Sequence, residues 1–217
     1  MDVRNAKDED LGHVEDMAIT IKGGRILYAE LDYGGTLGFG HKHLAVPFHS
    51  FKREGVTEHS NGHLVLDISR DELDKLPGFD SNSWPVTPDA RFLKGEQLTE
   101  KVADRSEFRR ARYLIGRTAR NPQGDSLGRI RDLVINCEAA KVVYVVLGHS
   151  KGTFTSEKLF AVPWDACQVR TLTGRPGDEC FVIDIANATL DNNAGFNRDS
   201  WPNNPDTTLF KTAPQTR

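Results

Sequence analysis

Apolar residues recur at every second position along much of the chain, in runs of only five to eight residues. Residues 14–21 end on the alternation Met17, Ile19, Ile21, then Gly23-Gly24 intervenes, and residues 26–33 resume the pattern. Two such runs around a Gly-Gly pair predict a hairpin, because glycine supplies the positive φ of a tight turn. Residues 44–47 and 64–68 read as two further strands, and the polar stretch 52–62 between them is expected as a loop. A short helix follows: Ser69 and Glu72, three apart, form a capping box, and Pro77-Gly78 ends it. Many short strands with frequent turns predict an all-β sandwich or barrel, not a parallel α/β sheet.

The same pattern then occurs a second time. At an offset of 116, Leu11-Gly12 meets Leu127-Gly128, Asp16 meets Asp132, Tyr28 meets Tyr144, and 45–47 (Ala-Val-Pro) meets 161–163. At 117, Asp67-Ile68 meets Asp184-Ile185, Leu73-Asp74 meets Leu190-Asp191, Gly78-Phe79 meets Gly195-Phe196, and Trp84-Pro85 meets Trp201-Pro202. A register kept over roughly 80 residues means two copies of one fold. The boundaries read as unit 1 at 1–86, a linker at 87–112, unit 2 at 113–203 and a tail at 204–217. Leu98 and Val102 at helical spacing predict an amphipathic helix over 95–112, and the Pro-, Asn- and Thr-rich tail is expected to be extended or disordered.

One strand breaks the half-polar rule. In 141–147, Val142, Tyr144 and Val146 alternate with Val143, Val145 and Leu147, so both faces are apolar and both need cover. The first unit has Glu30 where the second has Val146. Val142, Tyr144 and Val146 are therefore candidates for a packing or partner interface, against the first unit, the linker helix or a second copy in a homodimer.

Charge narrows the partners. The net charge is −3, and residues 1–86 hold 9 basic and 15 acidic side chains, which works against phosphate and hence against direct nucleic-acid binding. Arg105, Arg109, Arg110 and Arg112 are the one basic cluster, expected as a solvated helix face. Cys137, Cys167 and Cys180 have no CxxC spacing and read as small core or near-core residues in a reducing cytoplasm. No apolar run approaches the ~18 residues of a membrane span, and residues 1–10 are too charged for a signal peptide.

The repeated motifs carry a resemblance. A Leu-Gly strand with its Asp, an apolar 26–29 (Ile-Leu-Tyr-Ala) or 142–145 (Val-Val-Tyr-Val) strand and the Ala-Val-Pro segment, in that order and twice, resemble the photosynthetic-reaction-centre barrel (PRC-barrel) family. The ending at 73–85, Leu-Asp, Pro-Gly-Phe-Asp and Trp-Pro, is similar to that of bacterial stand-alone members. The resemblance implies two tandem, small, antiparallel barrels, each with a short helix, that work by binding other proteins. Its relatives include a reaction-centre subunit's cytoplasmic domain and a domain of a ribosome maturation factor. It implies no catalytic residue set and no cofactor. Residues 113–116 look like the family's first strand, whose counterpart would precede Met1. The first unit is thus expected to lack that strand, its counterpart falling upstream of Met1.

Several side chains invite sharper readings. His41, His43, His59 and His63 are candidate metal ligands, since an HxH on a strand puts both imidazoles on one face. Two of the equivalent positions are Glu157 and Leu159, so the fold does not require histidine there, and the reading adopted is no metal. The glycines of 34–40 are flanked by strands rather than a helix N-terminus and read as a hairpin loop. Asp16 and Asp132 are expected to accept backbone N–H groups rather than to act as acids. Trp84 and Trp201 are expected to clamp each unit's helical ending onto its own strands. The sequence thus predicts a cytoplasmic, non-catalytic protein-binding or scaffolding module. A ribosome- or RNA-associated factor and a histidine-dependent metal sensor or small enzyme are the alternatives.

Overall fold

The alternation becomes two strand systems that repeat one another element by element. The computed structural model describes residues 1–34, 41–57, 60–93, 102–152, 155–171 and 178–210, and divides into two units. The first is Met1–Thr20 with Arg25–Arg110, the second Ile21–Gly24 with Ala111–Arg217.

In the first unit β1 (Asp2–Arg4), β2 (Asp10–Thr20), β3 (Ile26–Tyr33), β4 (Lys42–Pro47), β5 (Phe51–Thr57) and β6 (Ser60–Leu66) make a sheet ordered β4-β3-β2-β1-β6-β5. The helix α1 (Arg70–Asp74) follows, and β7 (Phe108–Arg110) adds to β2. The second unit has α2 (Ala111–Leu114), then β8 (Thr118–Arg120), β9 (Ser126–Asn136), β10 (Lys141–His149), β11 (Lys158–Pro163), β12 (Cys167–Thr171) and β13 (Glu179–Ile183), then α3 (Asn187–Asn192). Its order, β11-β10-β9-β8-β13-β12, is the first order again. Pairing is antiparallel except at β1 with β6 and β8 with β13, which are parallel. The expectation of wholly antiparallel sheets is corrected there. The edge strands β4 and β5 are consecutive in the chain, joined through a 3-10 turn at Phe48–Ser50, and no ladder joins them among the described residues. Each sheet is therefore curled and barrel-like but not closed by hydrogen bonds.

The irregularities repeat too. Between β2 and β3 the register shifts at Val14/Asp16 and Ala18/Ile19, and between β9 and β10 at Val142/Tyr144 and Val146/Leu147, so the extra residues Glu15 and Leu27 recur at the equivalent positions Arg131 and Val143. Such bulges bend a strand and raise its twist, which an open sheet needs in order to curl. The Leu-Gly pair has an equally local cause. A Cβ on Gly12 would lie 2.0 Å from the Asp32 carbonyl oxygen, and one on Gly128 1.9 Å from that of Gly148, at φ of +107° and +132°. No other residue fits where the two strands cross so closely.

The interior of the first unit is Val3, Leu11, Leu31, Leu44, Val46, Leu64, Leu66, Leu73 and neighbours. Their counterparts, among them Ala119, Leu127, Leu147, Phe160, Val162, Phe181, Ile183 and Leu190, are buried in the second. A polar pin at equivalent positions helps hold each helix to its sheet. Tyr33 Oη donates to Asp74 at 2.8 Å, and at the equivalent place buried His149 pairs with Asp191 at 3.0 Å. The capping box at Ser69 and Glu72 is formed as the sequence predicts.

Four expectations fail. The expected loop 52–62 contains β5 and the start of β6. At the edge of the sheet, β5 packs Phe51 on the core but continues with the exposed Lys52, Arg53, Glu54 and Gly55, so apolar periodicity cannot reveal it. The helix expected over 95–112 is not one element. Residues 95–101 lie outside the described residues, Arg105–Glu107 is a 3-10 turn, and Phe108–Arg110 is a strand because β2 offers it an edge. The strand expected at 113–116 is replaced by the end of the helical turn α2 and a turn at Gly116. The six strands β8–β13 each have a counterpart in β1–β6, so the first unit does not lack a strand of that set. The tail is not extended as far as 210: Asp206 N–H donates to Ala161 O at 2.9 Å, and Phe210 is buried against Phe160. The same contact occurs in the first unit from Asp89 N–H to Ala45 O, with Phe92 buried, so each repeat extends past its Trp-Pro. Residues 35–40 and 211–217 lie outside the described residues. Cys180 is buried, Cys137 and Cys167 are partly so, and all three are free thiols.

Candidate functional site

Each sheet has a second face, away from its interior, and the chemistry of the chain gathers there. In the first unit this outer face carries Ala18, Leu27, Tyr28 and Ala45 under Trp84 and Phe108, with Phe79 beside them. Gly78 makes the cover possible. Its φ of +70° turns the chain so that Phe79 N–H donates to His43 O at 2.8 Å, and the following residues run back over the strands. Trp84 stacks on Tyr28 with 5.6 Å between centroids, and Tyr28 Oη donates to Pro85 O at 2.7 Å. β7 completes the seal: Phe108 meets Tyr28 edge-on, and the Arg110 guanidinium lies 4.7 Å from the Trp84 ring centre.

A buried polar cluster lies at the margin of this face. Asp16 pairs with Arg110 at 2.9 Å, and opposite it on β3 is Glu30, only 1% exposed. His43 Nδ1 approaches Glu30 Oε1 to 3.0 Å, but Nδ1 has no hydrogen-bond partner among the described residues, nor do Glu30 Oε2 and Trp84 Nε1. The 3.0 Å approach is thus a close contact without hydrogen-bond geometry. Burial pushes the Glu30 carboxyl up to about 7; Arg110 opposes that shift, while Asp16, Glu15 and Asp32 add to it. A carboxyl whose folded-state pKa is raised favours the fold below the ordinary value near 4.5 and loses that contribution as pH climbs through 7. Glu30→Gln should therefore gain on the parent by about 3 kcal/mol between pH 4.5 and pH 8. Denaturant melts of the two proteins across that range test this, and parallel pH curves would refute it.

The candidate metal ligands do not converge. His41 pairs with Asp32 at 2.8 Å and His43 with Glu30, whereas His63 is on β6 opposite Glu54, and His59 lies outside the described residues. Among the described residues no three His, Cys, Asp or Glu side chains are placed to hold a metal ion. Asp16 and Asp132 do accept backbone N–H groups, from Met17 and Leu133, each at 2.8 Å. The pairing of Glu30 with His43 escaped the sequence reading. A paired substitution signals it, since the second unit has Val146 and Leu159 at these two positions.

In the second unit, Tyr144, Val146, Leu159 and Ala161 form the corresponding cluster, with Val134, Val143 and Phe196 packed on it. Val142 is buried but stands outside this cluster, and Val143 takes the place expected for it, because the bulge between Val142 and Tyr144 shifts the alternation by one. The cover over Tyr144 comes from its own unit: Phe196 packs there, and Tyr144 Oη donates to Pro202 O at 2.8 Å. The sequence places that cover in the first unit, the linker helix or a second copy; the contacts made by Phe196 and Pro202 are within the unit.

Trp201 departs from its twin. Trp84 is 5% exposed and Trp201 42%, against the expectation that both are buried. The reason is local, since Trp201 touches Phe196 but has neither a Phe108 nor an Arg110 over it. The residues that β7 covers in the first unit, Ala18, Ile19 and Thr20, are buried, whereas Val134 and Ile135 are half-buried and Asn136 exposed.

The family model of the PRC-barrel domain matches residues 1–73 and again 106–185. The chain belongs to the PRC-barrel family. No curated protein sequence matches it. The second PRC-barrel match begins at 106 and so includes Phe108–Arg110, which pairs with β2 within the first unit. Among the described residues no helix is long and apolar enough to cross a membrane.

Proposed function

We propose that the chain is a non-catalytic binding module that works in the cytoplasm and holds a partner protein on the outer sheet face of its second unit. The observation that carries the reading is Trp201, 42% exposed on a face whose twin in the first unit is sealed. A large aromatic ring beside an unsealed apolar strand is the type of surface from which binding free energy comes. The absence of catalysis is argued from the recurring polar groups. The acids Asp16 and Asp132 recur on these faces, the first held by Arg110 and the second exposed, and neither has a partner that recurs beside it. The acidic first unit favours a protein over a nucleic acid as partner.

A photo-cross-linking residue at Asn136, with Glu54 as control site, tests the reading in cells that make the protein. A discrete protein adduct is expected from position 136 and not from 54, and it should vanish in the Trp201→Ala variant while the fold persists. Identical adduct patterns from both sites would remove the proposal.

A further inference from the structure

The first unit displays an occupant in the place that the second unit leaves open. There, β7 runs antiparallel to β2 with Phe108 opposite Thr20 and Arg110 opposite Ala18. Three side chains receive it: Tyr28 takes the Phe108 ring edge-on, Trp84 takes the Arg110 guanidinium on its face, and Asp16 takes the same guanidinium at 2.9 Å. All three recur, as Tyr144, Trp201 and Asp132. On β9, the neighbours are β10 along 129–136 and, on the other side, β8 with Gly116 and Arg117 along 126–130, so among the described residues 134–136 pair with nothing on the side away from β10. Asp132 is exposed and has no ion pair among the described residues, its Oδ1 accepting only the Leu133 N–H.

We infer that this edge of β9 is a docking slot for an extended segment of a partner protein with an aromatic residue and, two residues on, an arginine. The inference rests on the binding-module reading above and specifies its partner. The segment adds antiparallel to β9 with the aromatic opposite Asn136 and the arginine opposite Val134. Main-chain hydrogen bonds along the edge supply affinity, and the two side chains supply selection. The aromatic completes the cover at the half-buried Val134, which packs beside Tyr144. The arginine lies between Asp132 and the Trp201 ring, where one guanidinium serves a carboxylate and a π face together. Lysine lacks the planar fork for that double contact.

The probe is a synthetic peptide of residues 104–112 of this chain, titrated into the full-length protein and followed by backbone and indole amide NMR. Expected are shifts confined to 134–136, Asp132 and the Trp201 indole, lost in Trp201→Ala and weakened at least about tenfold in Asp132→Arg. A peptide with glutamate at the position of Arg110 should bind the Asp132→Arg protein better than the parent peptide does. Shifts elsewhere, or none at about 1 mM peptide, a concentration that detects even weak complexes, would overturn the proposal. A dimer dissociated by Trp201→Ala would overturn it too, making the occupant a second copy. Cross-linked adducts at Asn136 without peptide binding would leave the module reading standing and remove this one alone.

Discussion

Replacing Val146 with glutamate is expected to destabilise the second unit by about 3–5 kcal/mol, the penalty of a buried charge left without its partner. Val146 is 1% exposed and packs with Tyr144, Leu159 and Ala161. The first unit tolerates a carboxyl in this position because burial holds it in the neutral form up to a pH of about 7 and Arg110 acts on it from β7, with His43 3.0 Å away. In the second unit the place of His43 is taken by Leu159, and Asp132 opposite adds repulsion. The double change Val146→Glu with Leu159→His imports the partner and should recover at least about 1 kcal/mol of the loss, since residues in contact do not add independently. Denaturant unfolding of the two variants and the parent measures this. Equal losses in the single and double variants would mean that the two positions do not act as a pair.

Trp84→Ala should lower stability by about 3–5 kcal/mol, and Trp201→Ala by less than about 1 kcal/mol. The twins occupy equivalent places in sequence, so the difference comes from what covers them. Trp84 loses its stack on Tyr28, its edge contact with Phe79 and the Arg110 guanidinium together. Trp201 gives up its contact with Phe196 and one hydrogen bond from Nε1 to Arg198 O. Thermal unfolding of both variants decides it, and a large loss from Trp201→Ala would show that this ring is structural in both units.

The repeat register disclosed the fold because interior positions are set by local alternation, and those at Leu11, Leu31, Leu73 and their twins are all buried. The Ser69 capping box was equally readable, its contacts spanning three residues. What stayed hidden depends on neighbours distant in sequence. Phe108–Arg110 has the composition of a helix face and becomes a strand only because β2 has a vacant edge 90 residues earlier. The bulge that exchanges Val142 for Val143 is set by β9, and no alternation rule registers it. Of the candidate site, the sequence marked Tyr144 and Val146 as an apolar face needing cover. It could not show that Phe196 and Pro202 supply that cover, nor that Trp201 stays uncovered.

The parallel pairing of β1 with β6 bears on how each unit assembles. The meander β2-β3-β4 needs only short-range hairpins, which form within microseconds of one another. Val3, by contrast, must meet Leu64, and Ala119 must meet Phe181, each pairing enclosing most of a repeat. Chain-closure entropy of that kind is met before the contacts that reward it exist, which slows folding and exposes apolar strands in the meantime. The strand order thus predicts that the closure bringing the first and last strands of each repeat side by side limits the folding rate.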